Sequence, residues 1–298
     1  MAGEAEQKSY QDPWREGKVM LSGGIAGVVS RSTTAPIDRA KMIMQVAEGS
    51  HMNMRQAFKV MLAEGSIRSW FRGNGANCAK IGPEMALKLT INDEMKKIVY
   101  SRRQDAHIPA WQRLAFGGLS GAVAQACIYP MEVVRTRLAV CAPGSYNGML
   151  NVLTRTYQQE GVKALYRGLT PSLIGIIPYA GVDIAVFEII KSHLVEVFDG
   201  DLPNSSLLAA GAASASLAQF VSYPFAVVRT RLQAQGAKGH QEKYEGMIDA
   251  FRKTYRHEGV RGLYRGLTPN MLKLAPAAAI SWWSFEQSKL ALGINIRT

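Results

Sequence analysis

Ionisable side chains recur at helical spacing within one largely apolar stretch of the chain. Lys80, Glu84 and Lys88 lie four residues apart, so a helix places them on one face. Ionisable groups in a membrane-spanning helix are costly, and they face the interior of a bundle or a water-filled cavity. This stripe therefore predicts a polar surface inside a bundle.

The stripe belongs to a chain that repeats itself three times. Pro36, Pro130 and Pro224 follow one another at intervals of 94 residues, and each precedes basic residues at matching offsets. A Glu-Gly pair, an aromatic-Arg-Gly triplet, a second proline and an acid three residues before a lysine recur in step. A repeat this long indicates three copies of one unit around a common centre. The predicted divisions are a disordered lead-in at 1–16 and repeats at 17–105, 106–200 and 201–298.

Each repeat contains two stretches near the length that crosses a membrane, which is about 20 residues. They cover about 17–46, 77–98, 111–140, 172–194, 206–234 and 270–291. Small residues at close spacing, such as Gly23-Gly24-x-x-Gly27, occur in the first stretch of each pair and favour close helix contacts in lipid. The pattern predicts an all-α membrane protein with six transmembrane helices in three pseudo-threefold repeats, in preference to a soluble helical repeat.

Composition excludes several other classes of protein. The net charge of +12 suits nucleic-acid binding, but the basic residues are spread over matching repeat offsets and form no basic helix, so no nucleic-acid partner is expected. The three cysteines have neither metal-ligand nor disulfide spacing. No nucleophile–base pair or phosphate-binding GKS loop is present, which argues against an enzyme. We therefore expect no catalytic residues, no metal site and no cofactor.

The polar positions of the predicted helices differ between repeats, whereas the landmarks match. Lys80 corresponds to Gly175 and Lys273, and Glu84 corresponds to Tyr179 and Ala277. The remaining equivalent sets are Lys88 with Asp183 and Ser281, and Arg31 with Gln125 and Gln219. An asymmetric lining fits an asymmetric ligand. The alternative is that these charges snorkel to the membrane surface or pair with one another, Glu84 with its two lysines above all.

Taken together, the chain resembles the mitochondrial carrier family. The motif Pro-x-[Asp/Glu]-x-x-[Lys/Arg], the turn that contains glycine and the second span are that family's signature, and the resemblance covers about residues 17–292. It implies a multi-pass protein of the mitochondrial inner membrane, a monomer, with three short helices on the matrix side. It also implies one central site that opens alternately to the two sides.

The resemblance further implies a gate of ion pairs on each side of that site. By the family's pairing order, Lys41 meets Glu132, Arg229 meets Asp38, and Arg135 faces Ala226, which lacks a charge. Gln45 and Gln233 are expected to brace this matrix gate, and Ala139 cannot. On the cytoplasmic side, Asp93, Glu188 and Glu286 are expected to pair with Lys191, Lys289 and Lys96, respectively.

Turns that contain glycine precede several predicted helices, and helix N-termini bind phosphate groups. In the family such positions hold cardiolipin, which points to Arg72, Gly73, Gly148, Arg167, Gly168, Gly246, Arg265 and Gly266. The first repeat has Asn53 where the others have Gly148 and Gly246. Plain helix capping is the alternative for each turn.

Within the family, the chain is most similar to the carriers of ATP-Mg and phosphate. Segments that carry this similarity include Arg72-Gly-Asn-Gly-Ala-Asn77 and the signature that has alanine at Ala226. The resemblance implies exchange of ATP-Mg or ADP for phosphate, with Mg²⁺ as part of the substrate. No Asp-x-Asp-x-Asp-Gly loop is present, so calcium regulation within this chain is not expected.

The expected substrate contacts combine the stripe with the family's contact positions. Glycine before an aliphatic residue is read as a flat slot for a purine, and the lysines as phosphate ligands. The full set is Arg31, Lys80, Glu84, Lys88, Gly175, Ile176, Tyr179, Asp183 and Lys273. Alternatives are a carrier of coenzyme A, an ADP/ATP-type exchanger, and a membrane scaffold or lipid-binding protein without transport.

Overall fold

The computed structural model describes residues 14–47, 49, 52–102, 110–198, 203–237 and 244–294. Twelve α-helices and one 3₁₀ helix make up the described structure. They are α1 (Arg15–Thr33), α2 (Ala35–Val46), α3 (Met54–Ala63), α4 (Ile67–Trp70), α5 (Asn74–Ala79), α6 (Ile81–Arg102), α7 (Ala110–Val140), α8 (Met149–Glu160), the 3₁₀ helix Val162–Tyr166, α9 (Leu169–Val197), α10 (Asn204–Ala234), α11 (Met247–Leu263) and α12 (Leu267–Ala291).

The first long helix of each repeat contains the signature proline. In repeat 1 the helix breaks at Thr34, and Pro36 stands in the first turn of α2, where its missing N–H costs least. The Thr34 hydroxyl donates to the carbonyl oxygen of Ser30 at 2.9 Å. In the other repeats, α7 and α10 continue through Pro130 and Pro224.

The second long helix of repeat 1 is also divided, which the sequence analysis did not predict. α5 ends at Ala79 and α6 begins at Ile81, so Lys80 stands at the break. Pro83 accounts for this break, because a proline ring clashes with the carbonyl four residues earlier, here that of Ala79. The equivalent prolines, Pro178 and Pro276, lie inside the continuous helices α9 and α12.

The long helices form a closed ring. α6 packs on α7, α9 packs on α10, and α12 returns to pack on α1, with Ser30 donating to the Ala277 carbonyl at 2.8 Å. The segments that carry the signature, in α2, α7 and α10, contact one another in all three pairs. One end of the bundle is therefore closed around a threefold axis.

A short helix packs beneath the closed end in each repeat. α3 forms a small core with α2 around Ala40, Met44, Ala57 and Met61. α8 packs on α7 around Val134 and Val152, and α11 packs on α10 around Val228 and Ala250. These contacts attach each short helix to the signature segment of its own repeat.

Large apolar side chains cover the outside of the bundle, including Ile177, Leu208, Trp282 and Trp283. Two helical segments, Val162–Val197 and Ser205–Ala234, are by themselves long and apolar enough to cross a membrane. The six predicted spans correspond to α1–α2, α5–α6, α7, α9, α10 and α12, and the predicted all-α fold with three repeats is confirmed.

The small residues in the first long helices do not all serve close packing. A Cβ on Gly27 would lie 3.3 Å from the Ile81 side chain, so α1 and α6 are in contact there. At Gly23, Gly24 and Gly121 an added Cβ would meet no atom within 4 Å. The predicted close approach is therefore absent at these three positions in this structure.

Candidate substrate site and ion-pair network

Two ion pairs join the repeats at the closed end. Arg135 donates to Asp38 Oδ2 at 3.0 Å, and Arg229 contacts Glu132. The expected pairing order, Lys41 with Glu132 and Arg229 with Asp38, is therefore wrong. Each acid faces the basic residue of the following repeat, so the ring runs in the opposite direction to the expected one.

The corrected order moves the gap in the network from Arg135 to Lys41. Ala226 occupies the third acid position, and Lys41 is the base that an acid there would meet. Lys41 Nζ instead donates to the amide oxygen of Asn270 at 2.7 Å. Among the described residues Lys41 makes no ion pair within 4 Å.

Glutamines brace two of the three interfaces between repeats, at the predicted positions. Gln45 donates to the Tyr223 hydroxyl at 3.0 Å and accepts from Thr230 at 2.9 Å. Gln233 donates in the same way to Tyr129 at 2.9 Å and accepts from Thr136 at 2.7 Å. The tyrosine and threonine partners of the braces were not identified from the sequence.

Each interface between repeats thus has a different combination of an ion pair and a brace. Repeats 1 and 2 share the Asp38–Arg135 pair without a brace, because Ala139 stands at the glutamine position. Repeats 2 and 3 have both the Glu132–Arg229 pair and the Gln233 brace. Repeats 3 and 1 have the Gln45 brace but lack an acid at Ala226.

The two lysines that were predicted to contact substrate form ion pairs with the acids of this network. Lys80 Nζ is 2.6 Å from Glu132 Oε1, and Lys273 Nζ is 2.5 Å from Asp38 Oδ1. Each acid therefore holds one base of the network and one contact lysine. Any ligand that takes Lys80 or Lys273 also removes a partner from the network.

The rest of the stripe is partly paired within itself. Glu84 lies 3.8 Å from Lys80 and 2.7 Å from Lys88, so the alternative of internal pairing is present in this structure. Lys88 is 47% exposed and remains accessible to a ligand. Arg31 donates to the main-chain oxygen of Asn77 at 2.8 Å, which joins α1 to α5.

The predicted contacts on α9 are held against α10. A Cβ on Gly175 would lie 3.0 Å from Phe225 Cβ, so the bare face of this glycine packs on a helix instead of forming an open slot for a purine. Asp183 accepts from Ser214 at 2.7 Å. Tyr179 is half-buried one turn before Asp183, and Ile176 is exposed. Contacts of these residues with substrate stay predictions.

A cavity of about 160 Å³ lies at the network. Four basic side chains line it with only two acids. The bases are Lys41, Arg135, Arg229 and Lys273, and the acids are Asp38 and Glu132. Lys80, which binds Glu132, adds a fifth positive charge beside these acids. The floor of the site therefore carries an excess of positive charge.

The sequence matches the profile of a known protein family in three consecutive segments. The profile of the family described as "Mitochondrial carrier protein" matches residues 16–103, 106–198 and 200–295. The chain belongs to the mitochondrial carrier family. This carrier is thus a multi-pass protein of the mitochondrial inner membrane. The closed end, under which the short helices pack, is its matrix side.

Curated relatives of the carrier are adenyl nucleotide antiporters by name. The mitochondrial adenyl nucleotide antiporter SLC25A24 of rabbit is 45% identical over 295 residues, which is 98% of this chain and 61% of the relative. The human protein of that name is 44% identical over 297 residues, again 98% and 61%. Human SLC25A25, of the same descriptive name, is 43% identical over 290 residues, 95% of this chain and 60% of the relative. The chain thus spans about three fifths of these relatives.

On the matrix side of the carrier, a partly buried acid in each repeat is held between two arginines. These clamps, which the sequence analysis missed, are Arg39–Glu64–Arg72, Arg137–Glu160–Arg167 and Arg231–Glu258–Arg265. Arg39 also donates to the Ala139 carbonyl of the next repeat at 3.0 Å. The recurring Glu-Gly pairs were the available signal. This signal was incomplete because the first arginine of the clamp does not recur at one offset. Arg39 stands one helical turn earlier in its repeat than Arg137 and Arg231 do in theirs.

In the clamp of repeat 2, burial and the two arginines act on the pKa of Glu160 in opposite directions. Burial of Glu160 is the largest single influence on its pKa and raises it, but Arg137 and Arg167 together outweigh burial. The pKa of Glu160 is therefore below its ordinary value of 4.5, and the carboxylate remains charged.

The Arg-Gly turns of the carrier have a structural role. Gly73, Gly168 and Gly266 have positive φ, and a Cβ there would meet a main-chain oxygen of the neighbouring repeat at 2.7, 2.9 and 3.2 Å. The arginines before them belong to the clamps. Gly148 and Gly246 precede α8 and α11, and an added Cβ at either would meet no atom within 4 Å. In repeat 1, Asn53 and Gln56 form a capping box instead. Lipid binding at these turns stays a prediction.

The predicted ion pairs of the cytoplasmic gate can be compared with the structure for part of their residues. Asp93 and Glu188 are exposed, and Lys289 pairs with Glu286 of its own helix at 2.8 Å. Among the described residues the predicted Glu188–Lys289 pair between repeats is not formed. Lys191 is half-buried, and the Lys96 side chain lies outside the described part.

Proposed function

We propose that this carrier exchanges adenine nucleotides, as ATP-Mg or ADP, for phosphate by alternating access. The observation that carries the proposal is the cationic floor of the central site, where five basic side chains surround Asp38 and Glu132. A polyanion such as a nucleotide phosphate supplies the missing negative charge. The names of the antiporter relatives support an adenine nucleotide as one substrate.

Substrate binding and gate opening are coupled through shared acids. Substrate phosphates compete with Glu132 for Lys80 and with Asp38 for Lys273. A lysine that turns to phosphate leaves its acid, so the closed matrix side loses one contact between two repeats. Lys80 and Glu132 are both buried, so this pair separates only when phosphate replaces the carboxylate as the partner of the lysine.

The opposite gate has the space it needs to close. An added Cβ at Gly23, Gly24 or Gly121 meets nothing within 4 Å. Small residues let helix backbones approach closely. These glycines therefore permit the cytoplasmic halves of α1 and α7 to approach the axis when the matrix side opens.

We treat Mg²⁺ as part of the substrate, bound to the nucleotide phosphates. Mg²⁺ is usually bound through nucleotide phosphates with only one or two carboxylates from the protein. In the described part of the chain no group of three or more acids, histidines or cysteines forms a metal site. Glu84, between Lys80 and Lys88, is the carboxylate placed to meet a phosphate-bound ion.

The remaining partners follow from the family. We place cardiolipin at the starts of α8 and α11, where the helix dipole and free N–H groups attract a headgroup phosphate. We treat the carrier as a monomer, because the central site is built from the three repeats of a single chain.

Uptake of labelled ATP into cardiolipin-containing liposomes tests the proposal. We expect uptake into phosphate-loaded liposomes to exceed uptake into empty ones and to rise with Mg²⁺. Coenzyme A as an external competitor separates the nearest alternative: strong inhibition by coenzyme A with poor ATP uptake would favour that substrate. An ADP/ATP-type exchanger would require internal nucleotide and would ignore internal phosphate.

A further inference from the structure

We propose that the space between Lys41 and Ala226 is a phosphate-binding site, in which a phosphate group takes the place of the third acid of the network. The inference rests on the proposed function, because phosphate is one of the exchanged substrates. It adds a site on the matrix side of the lysine contacts and assigns it to a phosphate group.

Threefold geometry locates the site. Asp38 faces Arg135 and Glu132 faces Arg229, so the third pair of the ring would join position 226 to Lys41. Alanine at this position leaves a methyl group where the other two repeats have a carboxylate. Lys41 and Ala226 both line the cavity of about 160 Å³, so the vacant acid position is open to it.

Among the described residues, Lys41 is the base of the network that has no direct ion-pair partner. Its ammonium group donates to the neutral amide oxygen of Asn270 at 2.7 Å and lies 5.7 Å from the Tyr223 ring centroid. Among the described residues no carboxylate lies within 4 Å of it. A charge removed from bulk water is costly without a counter-charge, so this position favours an anion.

A second donor points to the same kind of ligand. Asn270 is 6% exposed, and its amide nitrogen is buried without a hydrogen-bond partner. The oxygen of the same amide group accepts from Lys41, so this unpartnered donor lies beside the lysine. An oxyanion supplies acceptor oxygens for such donors together with a counter-charge for Lys41, which water does not supply.

Phosphate fits better than a monovalent anion. Lys273, Arg229 and Arg135 line the same cavity as Lys41, so donors approach from several sides. Phosphate presents acceptor oxygens in several directions and carries more than one negative charge near neutral pH. One phosphate group therefore supplies acceptor oxygens for several donors and also reduces the excess of positive charge.

Thermal unfolding of the full chain in cardiolipin-containing detergent, with and without inorganic phosphate, tests the site. Ala226→Asp supplies the missing carboxylate, and we expect it to raise the unfolding temperature without ligand and to abolish the stabilisation by phosphate. Ala226→Asn is the matched control, with the same size and no charge, and should keep most of the phosphate response. Lys41→Gln should lower phosphate affinity by roughly tenfold or more, as loss of one charge-assisted contact does.

The same series with ATP-Mg separates two sources of the phosphate group. A variant Ala226→Asp that loses only the phosphate response indicates a site for free phosphate. Loss of both responses, with Ala226→Asn normal, indicates the terminal phosphate of the nucleotide. Either result supports the site.

Unchanged phosphate responses in both Ala226→Asp and Lys41→Gln would overturn the site and leave nucleotide exchange standing. A wild-type protein that is stabilised by ATP-Mg but not by phosphate, with an unchanged ATP-Mg response in Ala226→Asp, would do the same. A folded wild-type protein that responds to neither ligand would overturn the proposed function together with this inference.

Discussion

Lys273 Nζ lies 2.5 Å from Asp38 Oδ1, so a proposed substrate contact is bonded to an acid of the matrix gate. Lys80 stands in the same relationship to Glu132, at 2.6 Å. Both lysines are therefore engaged before a ligand arrives. Binding is an exchange of partners, and the protein acid that loses its lysine belongs to the gate that has to open.

Neutralising either lysine should impair nucleotide binding. Lys80→Gln and Lys273→Gln each remove a charge-assisted donor to phosphate, which is typically about 1.5–3 kcal/mol or about 10–100-fold in affinity. ATP-Mg uptake and ATP-induced thermal stabilisation measure the loss. Lys97→Gln, at an exposed pair with Glu94, is the control. Normal transport by both site variants would mean that the site is elsewhere.

The corrected pairing order makes a prediction for double-mutant cycles of thermal stability. Asp38→Asn with Arg135→Gln should show a coupling energy of about 1 kcal/mol, since these groups are partners across two repeats. Lys41→Gln with Glu132→Gln, the pair expected from the opposite order, should be additive within about 0.5 kcal/mol. The reverse result would support the order expected from the sequence, in which Lys41 meets Glu132 and Arg229 meets Asp38.

The clamp of repeat 1 should contribute to folding. Arg39→Met leaves Glu64 buried with only Arg72, at 3.7 Å, and breaking a buried pair costs about 3–5 kcal/mol. The double variant Arg39→Met/Glu64→Gln removes the unpaired charge and should recover part of that stability. Unfolding temperatures compare the two. If the double variant is less stable than Arg39→Met, Glu64 does not act through Arg39.

Glu160 should make stability depend on pH in the acid range. Its pKa in the folded carrier is below 4.5, so its contribution is fully present above the ordinary value and is lost as pH falls through the folded value. Unfolding temperatures measured from pH 6 downward should therefore fall less steeply below pH 4.5 in Glu160→Gln than in wild type. Parallel curves would contradict the shift.

Open space at Gly121 should be needed for transport and not for binding. Gly121→Leu fills the space into which the cytoplasmic half of α7 has to close, whereas substrate already reaches the site in the open form. We expect normal ATP-induced stabilisation with little uptake. Gly181→Leu, on α9 outside the small-residue motifs, is the control because an added Cβ there also meets nothing within 4 Å. Full uptake by Gly121→Leu would show that closure of the cytoplasmic side does not depend on this glycine.

Periodicity predicted most of the fold. Matching prolines and apolar stretches located all six long helices, because both features act locally along the chain. The break at Lys80 was missed, since Pro83 divides its helix while Pro178 and Pro276, at the equivalent places in the other repeats, do not.

The candidate site was predicted in its residues but not in its contacts. The repeat identified Asp38, Arg135 and Lys41 as gate residues, yet the spacing is the same for either direction around the ring. Only the three-dimensional arrangement decides which base each acid meets. The packing of Gly175 on Phe225 and the bond of Lys273 to Asp38 likewise join residues from different repeats, which local patterns do not relate.

The most direct test of the exchange itself is a measurement with two labels in the same proteoliposomes. External ATP-Mg and internal phosphate carry different isotopes, and uptake of one is followed together with release of the other. We expect coupled exchange, in which phosphate leaves only when nucleotide is outside, with matched initial rates, and in which Lys80→Gln and Lys273→Gln reduce both fluxes together. Nucleotide uptake that is equal in phosphate-loaded and empty liposomes would contradict it.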